Sequence, residues 1–156
     1  MKRLDRRRRR ESKTNYTKRL ILLKGNIPRL VVRKSNKYVL LQVVESKHAQ
    51  DKVICEVSTK ELLRYGWPKD KSGSLKSIAA SYLGGLLLAN KAKAKKVENV
   101  ILDSGLIPST KGSRVYAAVK GVSEGGLKIS HDEEILPTDE MINKYDFVDK
   151  IKGGMK

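Results

Sequence analysis

The pattern of apolar and polar positions predicts a set of strands in the first half of the chain. Apolar and β-branched residues fill the segments 29–34 and 38–44, and the polar residues 35–37 between them predict a hairpin. A third segment of this kind lies at 53–57, after a polar stretch. The three segments therefore predict an antiparallel meander.

Helical periodicity begins after the third strand. Apolar residues recur every three to four positions over 75–94, which predicts the main core helix, with Ser74 as its N-cap. Gly84 and Gly85 lie inside this helix, and each costs about 1 kcal/mol of helix stability relative to alanine. We therefore expect another element to approach the helix closely at these two glycines.

The next segments predict a parallel strand and a second helix. Residues 97–103 predict a short, buried strand. Because a helical crossover precedes it, we expect this strand to pair in parallel with a strand of the meander. A second helix is predicted over 111–123, and two glycines end it. Residues 127–129 predict either an edge strand or a terminal extension.

Together these elements predict an α/β fold, in which two helices pack on a mixed sheet. The sheet consists of the three-stranded antiparallel meander and a parallel strand, an order that matches the general plan of ribonuclease H-like domains. We divide the chain into a basic arm with an apolar anchor at 20–23 (1–26), an α/β body (27–129) and a C-terminal tail with a short helix near Met141 (130–156).

Positive charge is concentrated at the N-terminal end of the chain, which adds a separate basic segment to this picture. The chain has 34 Lys and Arg against 17 Asp and Glu, a net charge of +17. Residues 1–34 carry 14 basic and 2 acidic side chains, or +12, which leaves +5 for the other 122 residues. The five consecutive arginines at 6–10 repel one another and have little apolar surface. We expect the arm to have no fixed conformation until a polyanion neutralises it.

Nucleic acid is the polyanion that this pattern favours, because arginine binds phosphate bidentately and stacks on bases, which suits RNA. A solvated tail or a localisation signal is the alternative. Trp67 has two interpretations, a hydrophobic plug at one end of the core or an aromatic side chain facing RNA. The candidate RNA-binding residues are Arg6, Arg7, Arg8, Arg9, Arg10, Lys13, Thr14, Tyr16, Lys18, Arg19, Arg33, Asn36, Lys37, Trp67, Lys71, Lys111 and Arg114.

Lys111 and Arg114 flank the start of the second predicted helix. Hydroxyl groups and backbone N–H groups at this helix start favour a phosphate contact. Helix capping by Ser109 or Thr110 is the alternative. A P-loop is excluded, because Thr110 and Gly112 occupy the positions where that motif requires glycine and a hydroxyl.

The sequence indicates neither an enzyme nor a metal or cofactor site. A two-metal nuclease needs converging carboxylates, and Asp103 ends the fourth strand while the first strand, 29–34, has no acidic residue. A nucleic-acid-processing enzyme of ribonuclease H-like fold remains the alternative function.

The other candidate residues indicate no metal site. Cys55 is predicted to be a core residue, and the two histidines lack metal-ligand spacing. The longest apolar stretch, 82–89, is too short to span a membrane, so we expect a cytosolic protein without a membrane or small-molecule partner.

Three stretches resemble one known family. They read RRRRRESKTNY at 6–16, AASYLGGLLLA at 79–89, and LDSGL, GSRVYAAVKG and EGGL in order between 102 and 127. The chain resembles the family of large-subunit ribosomal protein eighteen in its archaeal form, whose eukaryotic counterpart is numbered five and which binds 5S ribosomal RNA.

The resemblance implies a ribonuclease H-like body without catalysis and a place in the central protuberance of the large ribosomal subunit. It implies 5S rRNA, 23S-type rRNA and neighbouring large-subunit proteins as partners. The chain lacks the long C-terminal extension of the eukaryotic form, which favours an archaeal source.

Overall fold

The computed structural model describes residues 4–47 and 50–155. Within them, five strands form one mixed sheet in the order β3-β2-β1-β4-β5. The strands are β1 (Arg29–Lys34), β2 (Val39–Lys47), β3 (Gln50–Ser58), β4 (Asn99–Asp103) and β5 (Lys128–Ile129). β2 is antiparallel to β1 and β3, whereas β4 is parallel to β1 and β5 is parallel to β4. The predicted meander, parallel strand and edge strand are confirmed.

The register between β1 and β4 decides which side chains share a face of the sheet. Arg29 lies opposite Ile101, and Val31 lies opposite Asp103. Because successive side chains of a strand point to opposite faces, Arg29 and Asp103 belong to the same face. Leu30 belongs to the opposite face, where it is fully buried in the core.

Six α-helices and three 3₁₀ helices lie in the described part of the chain. The α-helices are α1 (Arg7–Arg10), α2 (Tyr16–Lys24), α3 (Ile78–Ala94), α4 (Arg114–Glu124), α5 (Asp139–Ile142) and α6 (Phe147–Gly154). The 3₁₀ helices are Thr59–Tyr65, Lys69–Ser74 and Glu133–Ile135.

Both core helices begin three residues later than predicted. The N-cap of α3 is Ser77, whose hydroxyl accepts a hydrogen bond from the Ala80 amide at 3.2 Å. Ser74 instead ends a 3₁₀ helix and donates to the Lys71 carbonyl, so the predicted cap is wrong. α4 begins only after Gly112, because the φ of 67° at this glycine is incompatible with a helix.

Glycines allow α3 and α4 to pack in direct backbone contact. A Cβ atom at Gly85 would lie 2.4 Å from the Ala118 carbonyl oxygen, and one at Gly121 would lie 2.1 Å from the Tyr82 carbonyl oxygen. A Cβ at Gly84 would lie 3.1 Å from a Leu41 methyl group on β2. The predicted close approach at Gly84 and Gly85 is therefore confirmed.

The segment 130–156, predicted to be a tail, packs on the core over its described part. Val148 and Ile151 of α6 and the following Met155 are buried in the same cluster as α3. Asn90 of α3 donates a hydrogen bond of 2.7 Å to the Met155 carbonyl. The predicted short helix is α5, which begins after Thr138. α6 was not predicted.

Cys55 is buried in the core, as predicted, and burial raises the pKa of its thiol. Among the residues described, no helix has both the length and the apolar character that crossing a bilayer requires.

Candidate nucleic-acid interface

The arginine run forms a short helix whose side chains remain accessible. All four residues of α1 are exposed. Arg7 Nε lies 3.7 Å from Glu11 Oε1, and Arg9 Nε lies 3.7 Å from Asp5 Oδ2. Such exposed pairs contribute about 0–1 kcal/mol, so they leave the arginines free to exchange acidic partners for phosphate. The helical turn brings each of these two acids next to an arginine.

A tight turn reverses the chain after α1. Ser12 has a positive φ of 51°, and the amides of Lys13 and Thr14 both donate to the Arg8 carbonyl, at 2.9 and 3.2 Å. The Arg8 guanidinium donates to the Thr14 hydroxyl at 3.0 Å. These contacts place Arg8, Lys13 and Thr14 side by side.

The arm then enters α2, which carries the predicted aromatic residue. Asn15 caps this helix by accepting a hydrogen bond from the Lys18 amide at 3.1 Å. Tyr16 begins it, and the Arg6 guanidinium lies 4.9 Å from the centre of the Tyr16 ring, within the range of a cation–π contact. One face of Tyr16 is thus occupied by an arginine of the same arm.

α2 is joined to the body by two polar contacts. Its residues are all exposed or half-buried, and Leu20 and Ile21 are 56% and 65% exposed. Lys18 Nζ donates to the Ser104 hydroxyl at 3.2 Å, and Arg19 Nη2 lies 2.9 Å from Asp51 Oδ2. Of the segment 20–23, interpreted as an apolar anchor, Leu20 and Ile21 are thus largely exposed, whereas Leu22 and Leu23 are half-buried.

A chain of ion pairs continues from Arg19 across the sheet. Arg29 Nη2 lies 2.8 Å from Asp51 Oδ1, and Arg29 Nη1 lies 2.8 Å from Asp103 Oδ2. At the far end, Arg33 Nη2 lies 3.5 Å from Asp103 Oδ1. We call these five residues, Arg19, Asp51, Arg29, Asp103 and Arg33, the ion-pair chain. Arg29 and Asp51 were not among the residues predicted from the sequence.

The electrostatics of Asp51 reflect this position. Partial burial raises the pKa of its carboxyl, but the hydrogen bond from Ser46 and the charges of Arg29 and Arg19 outweigh burial, so the pKa is below its usual value. Asp51 is therefore ionised at neutral pH and holds both arginines.

Arg33 forms the border between the ion-pair chain and solvent. Its Nη1 donates to the carbonyls of Val32 and Asp103, both at 2.9 Å, and the side chain is 45% exposed. Gly105, with a φ of 62°, allows the loop after β4 to lie against this guanidinium, because a Cβ there would be 3.2 Å from it. Arg33 thus presents a fixed cation at the surface.

One cleft unites part of the predicted set. The candidates that line it are Arg8, Lys13, Thr14, Lys18, Arg19 and Arg33, together with Asp103 and Gly105. Asn36 and Lys37 are exposed in the hairpin between β1 and β2, outside this cleft.

Trp67 is not exposed to a ligand. Its side chain is 2% exposed, its ring centre lies 4.9 Å from that of Phe147, and its Nε1 donates to the Lys71 carbonyl at 3.1 Å. The plug interpretation is confirmed, and the inclusion of Trp67 among the RNA-facing residues is corrected. Lys71 itself is exposed, and its Nζ lies 5.2 Å from the Phe147 ring centre.

Lys111 and Arg114 are exposed beside the start of α4. Ser113 is the N-cap residue, but its buried hydroxyl has no hydrogen-bond partner within the described chain. The alternative of capping by Ser109 or Thr110 is wrong, and the Ser109 hydroxyl instead bonds to that of Tyr116. The backbone N–H groups at this helix start thus lack a side-chain cap, next to two cations.

Within residues 4–47 and 50–155, no group of three or more His, Cys, Asp and Glu side chains has the arrangement of a metal site. Asp103 is engaged by two arginines. An exposed arginine-rich arm beside a cationic cleft is typical of proteins that bind nucleic acid.

Comparison with known proteins identifies the family. The sequence model described as ribosomal large subunit proteins 60S L5 and 50S L18 matches residues 2–99 and 90–132. The chain belongs to this family of large-subunit ribosomal proteins, so it is a constituent of the ribosome and resides in the cytoplasm with it.

Archaeal relatives agree with this assignment. The large ribosomal subunit protein uL18 of Korarchaeum cryptofilum is 49% identical over 136 residues, which cover 87% of this chain and 68% of the relative. The uL18 proteins of Caldivirga maquilingensis and Aeropyrum pernix are each 44% identical, over 88% and 87% of this chain and 65% and 62% of their own lengths. The chain thus spans about two thirds of the length of these relatives.

Proposed function

We propose that the protein binds 5S rRNA through its arm and the adjoining cleft, and that it helps to attach this RNA to the 23S-type rRNA in the central protuberance. The observation that carries the proposal is the exposure of the arginines at 6–10 next to the cleft. Arg8 itself lines this cleft, together with four further cations and one hydroxyl group, those of Lys13, Lys18, Arg19, Arg33 and Thr14. Phosphate neutralisation by such side chains releases counterions and drives RNA binding.

The proposed contacts differ in kind. The arginines of the arm are suited to phosphates and to stacking on bases, since their guanidinium groups are planar and accessible. Arg33 is held in one position by the carbonyls of Val32 and Asp103, so it is suited to a single defined phosphate or base edge. Asn36, Lys37, Lys71, Lys111 and Arg114 extend the basic surface beyond the cleft.

The strand order supports a ribonuclease H-like topology, because an antiparallel β1-β2-β3 meander is followed by β4 and β5 parallel to β1. A nuclease with this topology is disfavoured. The Asp103 carboxylate, which ends β4, accepts hydrogen bonds from Arg29, from Arg33 and from the Gly105 amide.

We infer a structural role without catalysis, in which the arm at 1–26 and the body at 27–129 contact RNA. We assign the segment 130–156 to contacts with neighbouring large-subunit proteins.

Binding of the purified protein to 5S rRNA, to an unrelated folded RNA of the same length and to duplex DNA tests the proposal. We expect 5S rRNA to bind at least about tenfold more tightly than either competitor, since base and shape contacts add to the charge contacts. Equal affinity for all three would contradict it. Magnesium-dependent cleavage of RNA by the unmodified protein, lost in an Asp103→Asn variant that is still folded at the assay temperature, would establish the nuclease alternative instead.

A further inference from the structure

We propose that Asp51, Arg29 and Asp103 are positioning residues, which fix the direction of the arm and of Arg33 so that their cations meet one RNA surface. This inference rests on the proposed RNA-binding function. The three residues act through Arg19, Lys18 and Arg33, which lie at the cleft.

Arg29 is the rigid centre of the ion-pair chain. Its side chain is 4% exposed, and its two terminal nitrogens bind three partners on different strands, Asp103 of β4 and Ser46 and Asp51 of the β2–β3 hairpin. A planar guanidinium with this many fixed partners has one accessible orientation. The carboxylates on both sides of Arg29 are therefore held at set positions.

Asp51 links the fixed Arg29 side chain to α2 of the arm. Its Oδ1 accepts from Arg29 at 2.8 Å, while its Oδ2 accepts from Arg19 of α2 at 2.9 Å. Because α2 buries little apolar surface, its direction depends on this contact and on the bond from Lys18 to Ser104. Loss of the Asp51 charge should release one of the two ties.

Asp103 has the same role at the other end. Its Oδ1 accepts from the Gly105 amide at 2.9 Å, and its carbonyl accepts from Arg33 at 2.9 Å. Ser104, which holds Lys18, is the next residue along the chain. Arg33 and Lys18 of α2 thus both contact the loop 103–105, which borders the cleft.

Charge alone predicts the opposite role for these acids. A carboxylate among cations lowers the attraction of the surface for phosphate, so its removal should tighten binding of any RNA. If Asp51 positions the arm, its removal should weaken binding of 5S rRNA although the net charge rises. The sign of the effect therefore separates positioning from simple electrostatics.

The matched variants are Asp51→Asn and Asp139→Asn. Asp139 pairs with Lys120 at 2.6 Å in the segment 130–156, so both substitutions remove one carboxylate and free at least one cation. We expect Asp51→Asn to lower 5S rRNA affinity about fivefold or more and to accelerate amide exchange over 16–24, while Asp139→Asn leaves both unchanged or binds slightly tighter. Asp51→Glu, which retains the charge, should recover part of the loss.

Affinity of Asp51→Asn equal to or above that of the unmodified protein would overturn the inference. Unchanged exchange over 16–24 in Asp51→Asn would overturn it as well, and this readout needs no RNA. Failure of the proposed function has a separate signature, because the unmodified protein itself would then bind 5S rRNA no better than the unrelated RNA.

Discussion

The Asp103 carboxylate lies 2.8 Å from the Arg29 guanidinium, Oδ2 to Nη1, and the two side chains are only 10% and 4% exposed. The parallel register of β1 and β4 places both on one face of the sheet. A buried charge of this kind requires its partner, because removal of one member leaves the other unpaired in a poor solvent for ions. The acid that ends β4 is thus part of the structure of the sheet.

Replacement of Asp103 by alanine should destabilise the protein by about 3–5 kcal/mol, since Arg29 would remain buried without its neutralising partner. The melting temperature should fall by roughly 6–20 °C for a chain of this size. Glu134→Ala removes an exposed acid and should change the melting temperature by little. Equal melting temperatures for the two variants in calorimetry would contradict the buried pair.

A second prediction concerns the contact of α3 with α4. Gly85→Ala should destabilise the protein by about 1–3 kcal/mol, because the added methyl group would lie 2.4 Å from the Ala118 carbonyl oxygen. Helix propensity alone would give a gain of about 1 kcal/mol, so the sign of the change is decisive.

Gly153→Ala is the matched control, since nothing lies within 4 Å of a Cβ at that glycine of α6. It should be neutral or stabilising in denaturant unfolding. A stabilised Gly85→Ala variant would show that the two helices are further apart.

A third prediction tests whether the segment 130–156 belongs to the core. Ile151 is 2% exposed, and Ile151→Ala should cost about 2–5 kcal/mol through reduced burial and a residual cavity. Lys150→Ala, at the exposed neighbouring position, should have little effect. If Ile151→Ala unfolded at the same denaturant concentration as the unmodified protein, α6 would not be docked on α3.

The packing of α6 was present in the sequence as a weak signal. Phe147, Val148, Ile151 and Met155 recur at helical spacing, but only one short helix, near Met141, was predicted in this segment. β1, by contrast, could be predicted with its correct ends, because Pro28 precedes it and the polar turn residues 35–37 follow it. Local pattern was enough for β1, whereas the docking of α6 depends on a tertiary surface.

The ion-pair chain could not be predicted for a related reason. Arg29 and Asp103 are 74 residues apart, and only the register of β1 and β4 brings them together. Asp51 likewise meets Arg19 through the fold of the β2–β3 hairpin. Charge patterning identified the arm, while the contacts that orient it arise from tertiary structure.

A fourth prediction concerns the free arm. The amides of α1 should exchange rapidly in the isolated protein, because every residue of this helix is exposed and a helix of four residues is marginal by itself. Binding of 5S rRNA should slow them. Slow exchange throughout 6–19 before RNA is added would show that the arm is already stably folded, and would contradict the expectation that RNA orders it.

The central claim is that the arginines at 6–10 are the main RNA contact, and the salt dependence of 5S rRNA affinity tests it most directly. Alanine at all five positions should lower the slope of log affinity against log salt by about 0.7–0.9 for each phosphate that the arm no longer neutralises, and should weaken binding. A variant with Lys60→Ala and Lys95→Ala, two exposed lysines outside the arm and cleft, should keep nearly the full slope. An unaltered slope with undiminished affinity in the five-alanine variant would contradict the account.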